Sequence, residues 1–554
     1  MNNQQPSPSR RMFLGSAALM PVCAQLIAAE AAPNAAEGSA QQRAEEAFQT
    51  RMTAALNERQ LPFPDHPNNG DEQRYTNRIG SYSKGLPHNN LGEVDPNAYS
   101  ALLGALATAD TRDFERLVMG CPDPARQRKL VNPQAGKAFD LEGADCHHLA
   151  IPAPPAFNSA EQAGEMVELY WMALLRDLSF TEYGTNLLGQ AAADELSGLT
   201  DFRGPKSGGR VTTGTLFRGF TPGDLAGPYL SQFLARPVPF GAQAIDARQR
   251  TLLPGIDYMT QFADWLDVQK GCQPLVSDQF DPVRRYMRNG RDLAQWVHVD
   301  VLFQAYFYAA LILLTPPDPG DPVTGGGIGA RLNPGNPYNN LWNMTGFGTF
   351  GGPYIAAQVA EAATRALKAQ WFQKWFVHRR LRPEAFGGRV HNRLVNPGVD
   401  YPIHRDALSS AALARVFSRY RSYLLPQAYP EGSPLHPSYG AGHATVAGAC
   451  VTMLKALFDE SFVVPQPVIP SADGLSLVPY TGGPLTVGGE LNKLAANVAM
   501  GRNFAGIHWR SDYTESLKLG EAVAISLLRD QRLIYKEDFA GFTFTKFDGT
   551  RITV

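Results

Sequence analysis

Cysteine is scarce in this 554-residue chain: five residues, with no Cys-x-x-Cys pair, which excludes zinc ribbons and thioredoxin-type chemistry. Cys23 falls in an N-terminal segment that reads as a removable leader. Cys121, Cys146, Cys272 and Cys450 are widely spaced, and three disulfide pairings stay open beside the alternative of buried free thiols. Cys146-His147-His148 carries metal-binding side chains, but three consecutive residues cannot all face one ion on a helix or strand, so the tract reads as structural. An excess of charge is also missing. Fifty Lys plus Arg against 52 Asp plus Glu leave a formal net charge of -2, so no surface for nucleic acid is expected and any affinity for anions must be local. After the leader, no run of eighteen uninterrupted apolar residues occurs, and no membrane span is expected. Regular alternation of apolar and polar residues is rare and nothing repeats at a fixed period, which excludes a sheet-based core and a solenoid.

What the chain does have is helical periodicity broken by 42 prolines and 52 glycines, so the expected fold class is all-α, a large helical unit with long irregular loops. Helices are expected over 161–178, over 293–314 as one long apolar helix ending at Pro316-Pro317, over 354–380 and over 444–458. The Pro/Gly-rich connection 316–353 is too long to be idle and is expected to cover a site. At the N-terminus, Ser9-Arg10-Arg11-Met12-Phe13-Leu14-Gly15 followed by a mildly apolar stretch resembles a twin-arginine export signal. Residues 1–32 are therefore expected to be that signal and 33–74 a linker, in a periplasmic or secreted protein.

Three clusters in the last third of the chain carry chemistry. Lys374 lies on the helix 354–380, and Arg382-Pro383 follows where Pro383 disfavours helix, so two cations can converge from two directions. His436-Pro-Ser-Tyr-Gly-Ala-Gly-His443 then feeds an apolar helix. A glycine turn at a helix N-terminus presents free backbone N–H groups to an anion, and His443 at that entry can exchange protons with it. Arg502-Asn-Phe-Ala-Gly-Ile-His508 sets a guanidinium and an imidazole six apart, with Asp512 one helical turn beyond His508 to orient it. Each pattern alone is weak, but together they describe a site for a tetrahedral oxyanion.

The three clusters in this order resemble the signature of the type 2 phosphatidic acid phosphatase and vanadium haloperoxidase superfamily. Asn333-Pro-Gly-Asn-Pro-Tyr338, Gly346-Phe-Gly-Thr-Phe-Gly-Gly-Pro353, Lys374-Trp-Phe-Val-His-Arg-Arg-Leu-Arg-Pro-Glu-Ala-Phe-Gly-Gly388 and His436-Pro-Ser-Tyr439 are similar to the bromoperoxidases of algae and their bacterial relatives. That resemblance runs from about residue 75 onward. It implies two four-helix bundles, with 75–340 as an N-terminal half that covers the pocket and builds subunit contacts, and 341–554 as the half holding vanadate. It implies His508 as the metal ligand, and Lys374, Arg382, Arg502 and the Gly442 N–H as partners of the vanadate oxygens. His443 is implied as the acid–base residue. The implied partners are hydrogen peroxide, bromide or iodide, small organic acceptors and further copies of the chain, with phosphate taking the site when vanadate is absent. His436 accompanies bromide oxidation in the resembling family, and Trp371, one turn before Lys374, is a candidate to face the halide. One departure stands out: the family turn usually has Ser immediately before Gly-His, and this chain has Ala441. The competing readings are a soluble acid phosphatase with His508 as nucleophile and an oxyanion-binding protein without turnover.

Overall fold

A computed structural model describes residues 39–318 and 326–554. The expected export signal lies outside the described residues, as do residues 319–325 of the 316–353 connection. Two units are resolved by their packing, residues 1–53 and 54–554. In the first, the described residues belong to helix α1 (Ala40–Arg59), which buries no side chain.

The second unit is mainly helical, as its periodicity predicts, and its strands form only two-stranded antiparallel pairs among the described residues. One apolar core runs from Ile79 to Val554. Its principal helices are α2 (Ala160–Leu174), α3 (Gly290–Val299), α4 (Gln304–Leu314), α5 (Gly352–Phe372), α6 (Pro383–Val395), α7 (Gly442–Leu457), α8 (Val487–Phe504) and α9 (Arg510–Arg532). Helices α5, α7, α8 and α9 form a four-helix bundle with α7 at its centre, and α3 packs on α8. Two glycines allow the closest crossing. A Cβ at Gly448 of α7 would lie 2.2 Å from the Leu517 carbonyl, and one at Gly520 of α9 would lie 2.0 Å from the Thr445 carbonyl. The backbones of α7 and α9 thus touch directly, which fixes the N-terminus of α7 against the first turns of α9.

Two expected helices differ in ways that matter. The single apolar helix 293–314 is instead α3 and α4, bent by 100° at a break that begins with Asp300. Asp300 adopts an extended conformation, φ −65° and ψ 150°, because its carboxylate leaves the helix to bind His443. No single helix among the described residues is long and apolar enough to cross a membrane. The helix expected over 354–380 ends as α-helix at Phe372, continues as a π-helical turn Gln373–His378 and stops at Arg379, whose φ is 41°. The π turn widens the helix where Lys374 sits, a common device at functional positions.

Of the four cysteines left open in pairing, Cys121 and Cys272 form a disulfide, and Cys146 and Cys450 are buried free thiols. The Cys146–His148 tract is a single 3-10 turn. His148 Nδ1 turns to Glu58 Oε1 at 2.5 Å, while Asp145 joins Cys146 and His147 with donor atoms within 4.8 Å of one another.

Candidate active site

The site is assembled around the turn that enters α7. Gly440 lies so close to α9 that a Cβ would sit 2.0 Å from Ser516 Oγ, and the next residue, Ala441, donates its N–H to that oxygen at 2.8 Å. Lys374, fully buried, holds the turn from the other side by donating from Nζ to the carbonyls of Pro437 (2.8 Å), Ser438 (2.9 Å) and Gly440. Gly442 opens α7 with Trp371 nearby; a Cβ there would lie 3.4 Å from the indole.

Arg382 caps α6 in an extended conformation, as Pro383 requires, and reaches across the site. Its Nε donates to the His436 carbonyl (3.1 Å) and its Nη1 to the Ile507 carbonyl (2.9 Å). Its two terminal nitrogens also contact His508 Nε2 and His436 Nδ1, both at 2.9 Å. His508 Nδ1 meets Asp512 Oδ2 at 2.7 Å, the orientation its spacing predicts. Asp512 is held in turn by Arg380 at 2.9 Å, by the Trp509 N–H at 3.2 Å and by the Ser438 hydroxyl. With Nδ1–H committed to a carboxylate, His508 Nε2 presents a lone pair, and Arg382 donates into it. Burial pushes the His508 basicity well below its ordinary value, and the charges of Arg382, Lys374, Arg502 and His443 push it further, which favours the neutral imidazole.

Arg502 donates from Nη1 to the Val297 carbonyl at 2.5 Å, lies over the Tyr429 ring and leaves its buried Nε without a partner. His443 Nε2 meets Asp300 Oδ1 at 2.9 Å, which leaves Nδ1 as the nitrogen available for proton exchange. Burial lowers the His443 basicity and Asp300 partly restores it. Burial, then the charges of Lys374 and Arg382, lower the His436 basicity as well. Its ring lies 4.9 Å from that of Trp371.

The protein is similar over nearly its whole length to named enzymes. It is 38% identical to the vanadium-dependent bromoperoxidase of Corallina officinalis, over 93% of this chain and 99% of that one. It is 35% identical to the vanadium-dependent bromoperoxidase of Ascophyllum nodosum, over 92% of each chain. The chain belongs to the vanadium-dependent bromoperoxidase family. Residues 406–535 match the family model described as the VCPO second helical-bundle domain. Among solved structures, the homohexameric second vanadate-dependent bromoperoxidase (AnII) of Ascophyllum nodosum superposes with a TM-score of 0.88 at 32% identity, covering 95% of this chain and 93% of that one.

The donor set of this bromoperoxidase-family chain fits vanadate. Lys374, Arg382 and Arg502 bring three basic side chains to one buried place, where burial lowers the proton affinity of Lys374 and Arg382 and a bound oxyanion would restore it, while Asp512 is already shared with Arg380. The uncompensated charge and the unpartnered Arg502 Nε suit a multiply charged oxyanion. At Ala441 the nearest hydroxyl is that of Ser516 on α9, which accepts from the Ala441 N–H at 2.8 Å; the other hydroxyls around the turn are committed elsewhere. Ser438 is on Asp512, the Tyr439 hydroxyl donates to Pro152 (2.8 Å), and the Thr445 hydroxyl is engaged by Gln370 and the Ala441 carbonyl.

Of the residues expected from the sequence, His436, Gly442 and His443 lie on this turn, Lys374 and Arg382 bind it, and His508 reaches it through Arg382, while Arg502 contacts Val297 and Tyr429. Asp300, Arg380, Gln370 and Ser516 were not legible as site residues. For Asp300 the only available signal was a carboxylate interrupting an otherwise apolar segment.

Proposed function

We propose that this chain oxidises bromide, and iodide, with hydrogen peroxide in a vanadate-dependent reaction. Halide, peroxide and one proton give a hypohalous acid and water, and the acid halogenates small organic acceptors. The observation that carries this reading is the Asp512-oriented His508, whose Nε2 meets Arg382 at 2.9 Å in the buried cluster with Lys374 and Arg502. Family membership and the match to bromoperoxidases over nearly the whole chain support it further. When bound, vanadate supplies a Lewis acid that polarises peroxide without changing its own oxidation state.

The chain's own residues have separable tasks. His508 Nε2 is the protein ligand, and Asp512 keeps its tautomer and orientation. Lys374, Arg382, Arg502 and the Gly442 N–H hold the oxyanion charge. His443 Nδ1 exchanges a proton at the open side of the site, with Asp300 fixing its ring. His436 and Trp371, packed together beside Arg382 and Gly442, form the wall on which the halide approaches. Phosphate, with the same tetrahedral oxyanion shape, takes the site when vanadate is scarce. A homo-oligomer, a covering role for residues 75–340 and delivery to the periplasm or the exterior complete the proposal.

The test is an assay of purified protein with bromide and hydrogen peroxide, with and without added vanadate, beside an assay with p-nitrophenyl phosphate. Vanadate-dependent bromide oxidation is expected. Phosphate ester hydrolysis with no bromide oxidation at any vanadate concentration would contradict the reading.

A further inference from the structure

The turn that begins at Asp145 gathers three metal-binding side chains that the bromide chemistry does not use. On a regular helix or strand consecutive side chains diverge, but here Asp145 is extended (φ −67°, ψ 152°) and the 3-10 turn Cys146–His148 follows at once. One donor atom each from Asp145, Cys146 and His147 therefore lie within 4.8 Å of one another, and His147 Nδ1 is 3.7 Å from Asp145 Oδ1. The set differs from the sequence tract: Asp145 takes the place of His148. Ligand atoms held about 2.0–2.3 Å from one tetrahedral ion lie about 3.3–3.8 Å apart, so closing the set on an ion takes side-chain shifts of about 1 Å. Asp145 and Cys146 are buried, whereas the His147 side chain is 39% exposed and makes no hydrogen bond among the described residues. An ion thus has a way in and a nitrogen ready to meet it.

Residues outside the donor set hold the turn in place. Glu58 Oε1 accepts the Asp145 N–H at 2.8 Å and meets His148 Nδ1 at 2.5 Å. His66 Nε2 binds the His147 carbonyl at 3.1 Å, and Phe63 stacks on the His147 ring with centroids 5.6 Å apart. Outer partners of this kind fix the orientation of metal ligands. The charge balance points the same way. Asp140 is shared with Arg365 and Lys368, but Asp145, whose Oδ1 accepts the Cys146 N–H at 2.6 Å, pairs with no lysine or arginine among the described residues. Burial, then Asp145 and Asp140, push the Cys146 thiol up to about 12. A carboxylate without a cation beside a buried sulfur makes a field that disfavours a lone thiolate and favours a bound cation.

We propose that Asp145, Cys146 and His147 bind one divalent cation of the zinc(II) class, with water as the fourth ligand on the exposed side of His147. Thiolate and imidazole select such an ion over calcium or magnesium, which prefer oxygen. Binding forms the metal–sulfur bond and releases to solvent the thiol proton, now directed at the Gly136 carbonyl at 3.4 Å. The turn packs on α5, and the His66 ring meets Phe372, the last residue of α5, edge-on at 5.2 Å. The ion would therefore fasten this turn to the helix that leads into the π turn of Lys374. The site does not depend on the bromide-oxidising reading.

Zinc has no d–d or redox signal, so the probe is cobalt(II), titrated into the full chain without vanadate. A thiolate-to-cobalt charge-transfer band is expected, saturating at one cobalt per chain and bleached when zinc displaces the cobalt. The vanadate cluster contains no sulfur, so the band reports a cysteine, and Cys146→Ser is expected to lose it. Because Cys146 is buried, a second variant guards against misfolding. His147→Ala, at an exposed position, is expected to keep the wild-type circular dichroism spectrum and to weaken zinc by about tenfold or more in competition with a chromophoric chelator. No band in the wild type, a band that survives Cys146→Ser, or wild-type zinc affinity in His147→Ala would overturn the site.

Discussion

At Asp300 a single carboxylate decides both a helix break and the basicity of His443. Its own carboxyl is lowered in pKa although burial acts to raise it, because His443 and then Arg502 outweigh the burial. For His443 the sign is opposite: burial lowers its affinity for a proton and Asp300 raises it. Asp300→Asn removes the raising influence, so the limb of the bromide-oxidation pH profile that tracks His443 should move to lower pH. The turnover itself should fall about 10- to 100-fold, the usual effect of losing an outer partner of a site histidine. A pH profile at saturating vanadate checks this, and a limb that stays in place or moves upward would count against the assignment. Ala441 raises the converse question. The hydroxyl that the family has there is missing from the turn, and the nearest one, Ser516 on α9, is bound to the Ala441 N–H at 2.8 Å, so the turn itself forgoes a hydrogen bond to a charged oxygen worth on the order of 1.5–3 kcal/mol. Ala441→Ser should therefore bind vanadate about tenfold or more tightly in an equilibrium titration. Unchanged affinity would mean that the turn does not face the oxyanion in this way.

Elements explain why some of the site was legible in the sequence and some was not. Lys374, Arg382, Gly442, His443, Arg502 and His508 stand at fixed short spacings beside helix starts and a proline, so local rules expose them. Asp300 was hidden because the apolar residues on both sides, Leu293 to Val299 and Ala305 to Leu314, continue one helical pattern across it. Only the tertiary contact to His443, 143 positions away, reveals why the pattern breaks. Glu165 and Glu168 on α2 were unreadable for a related reason. They lie in the buried stretch Gln162–Ala173 of that helix and are matched by Arg380, Ser511 and Arg510, far along the chain. The α7–α9 crossing gives a test whose sign is informative. Helix propensity alone would make Gly520→Ala stabilising by roughly 1 kcal/mol. The added Cβ would instead meet the Thr445 carbonyl at 2.0 Å and the Ala449 nitrogen at 2.6 Å. Chemical denaturation should show a loss of about 1–3 kcal/mol or more. Since the two helices set the position of the α7 N-terminus, vanadate affinity should weaken with it, and a more stable variant would contradict the crossing.

On the scale of the whole molecule, one large core with three smaller apolar clusters, and one covalent link among the described residues, hold the 54–554 unit together. The helical class followed from the absence of alternating segments and the abundance of loop-forming residues. The pairing of Cys121 with Cys272 did not, since separation in sequence carries no information about proximity. That disulfide spans 151 positions, and opening so long a loop should cost about 2–5 kcal/mol. Cys272→Ser should show this in urea unfolding, with vanadate affinity little changed because neither cysteine touches the site. An unchanged midpoint would mean that the link does not constrain the fold.

The central claim, that His508 is the ligand and His443 the proton-exchanging group, meets its most direct test in a vanadate titration of wild type, His508→Ala and His443→Ala, each followed by bromide turnover. His508→Ala is expected to lose vanadate binding and turnover together, because it removes the one imidazole here that a carboxylate orients, Asp512 on Nδ1 at 2.7 Å; His436, also 2.9 Å from Arg382, has no such partner. His443→Ala is expected to keep much of the binding and lose turnover. Wild-type vanadate affinity in His508→Ala would contradict the account.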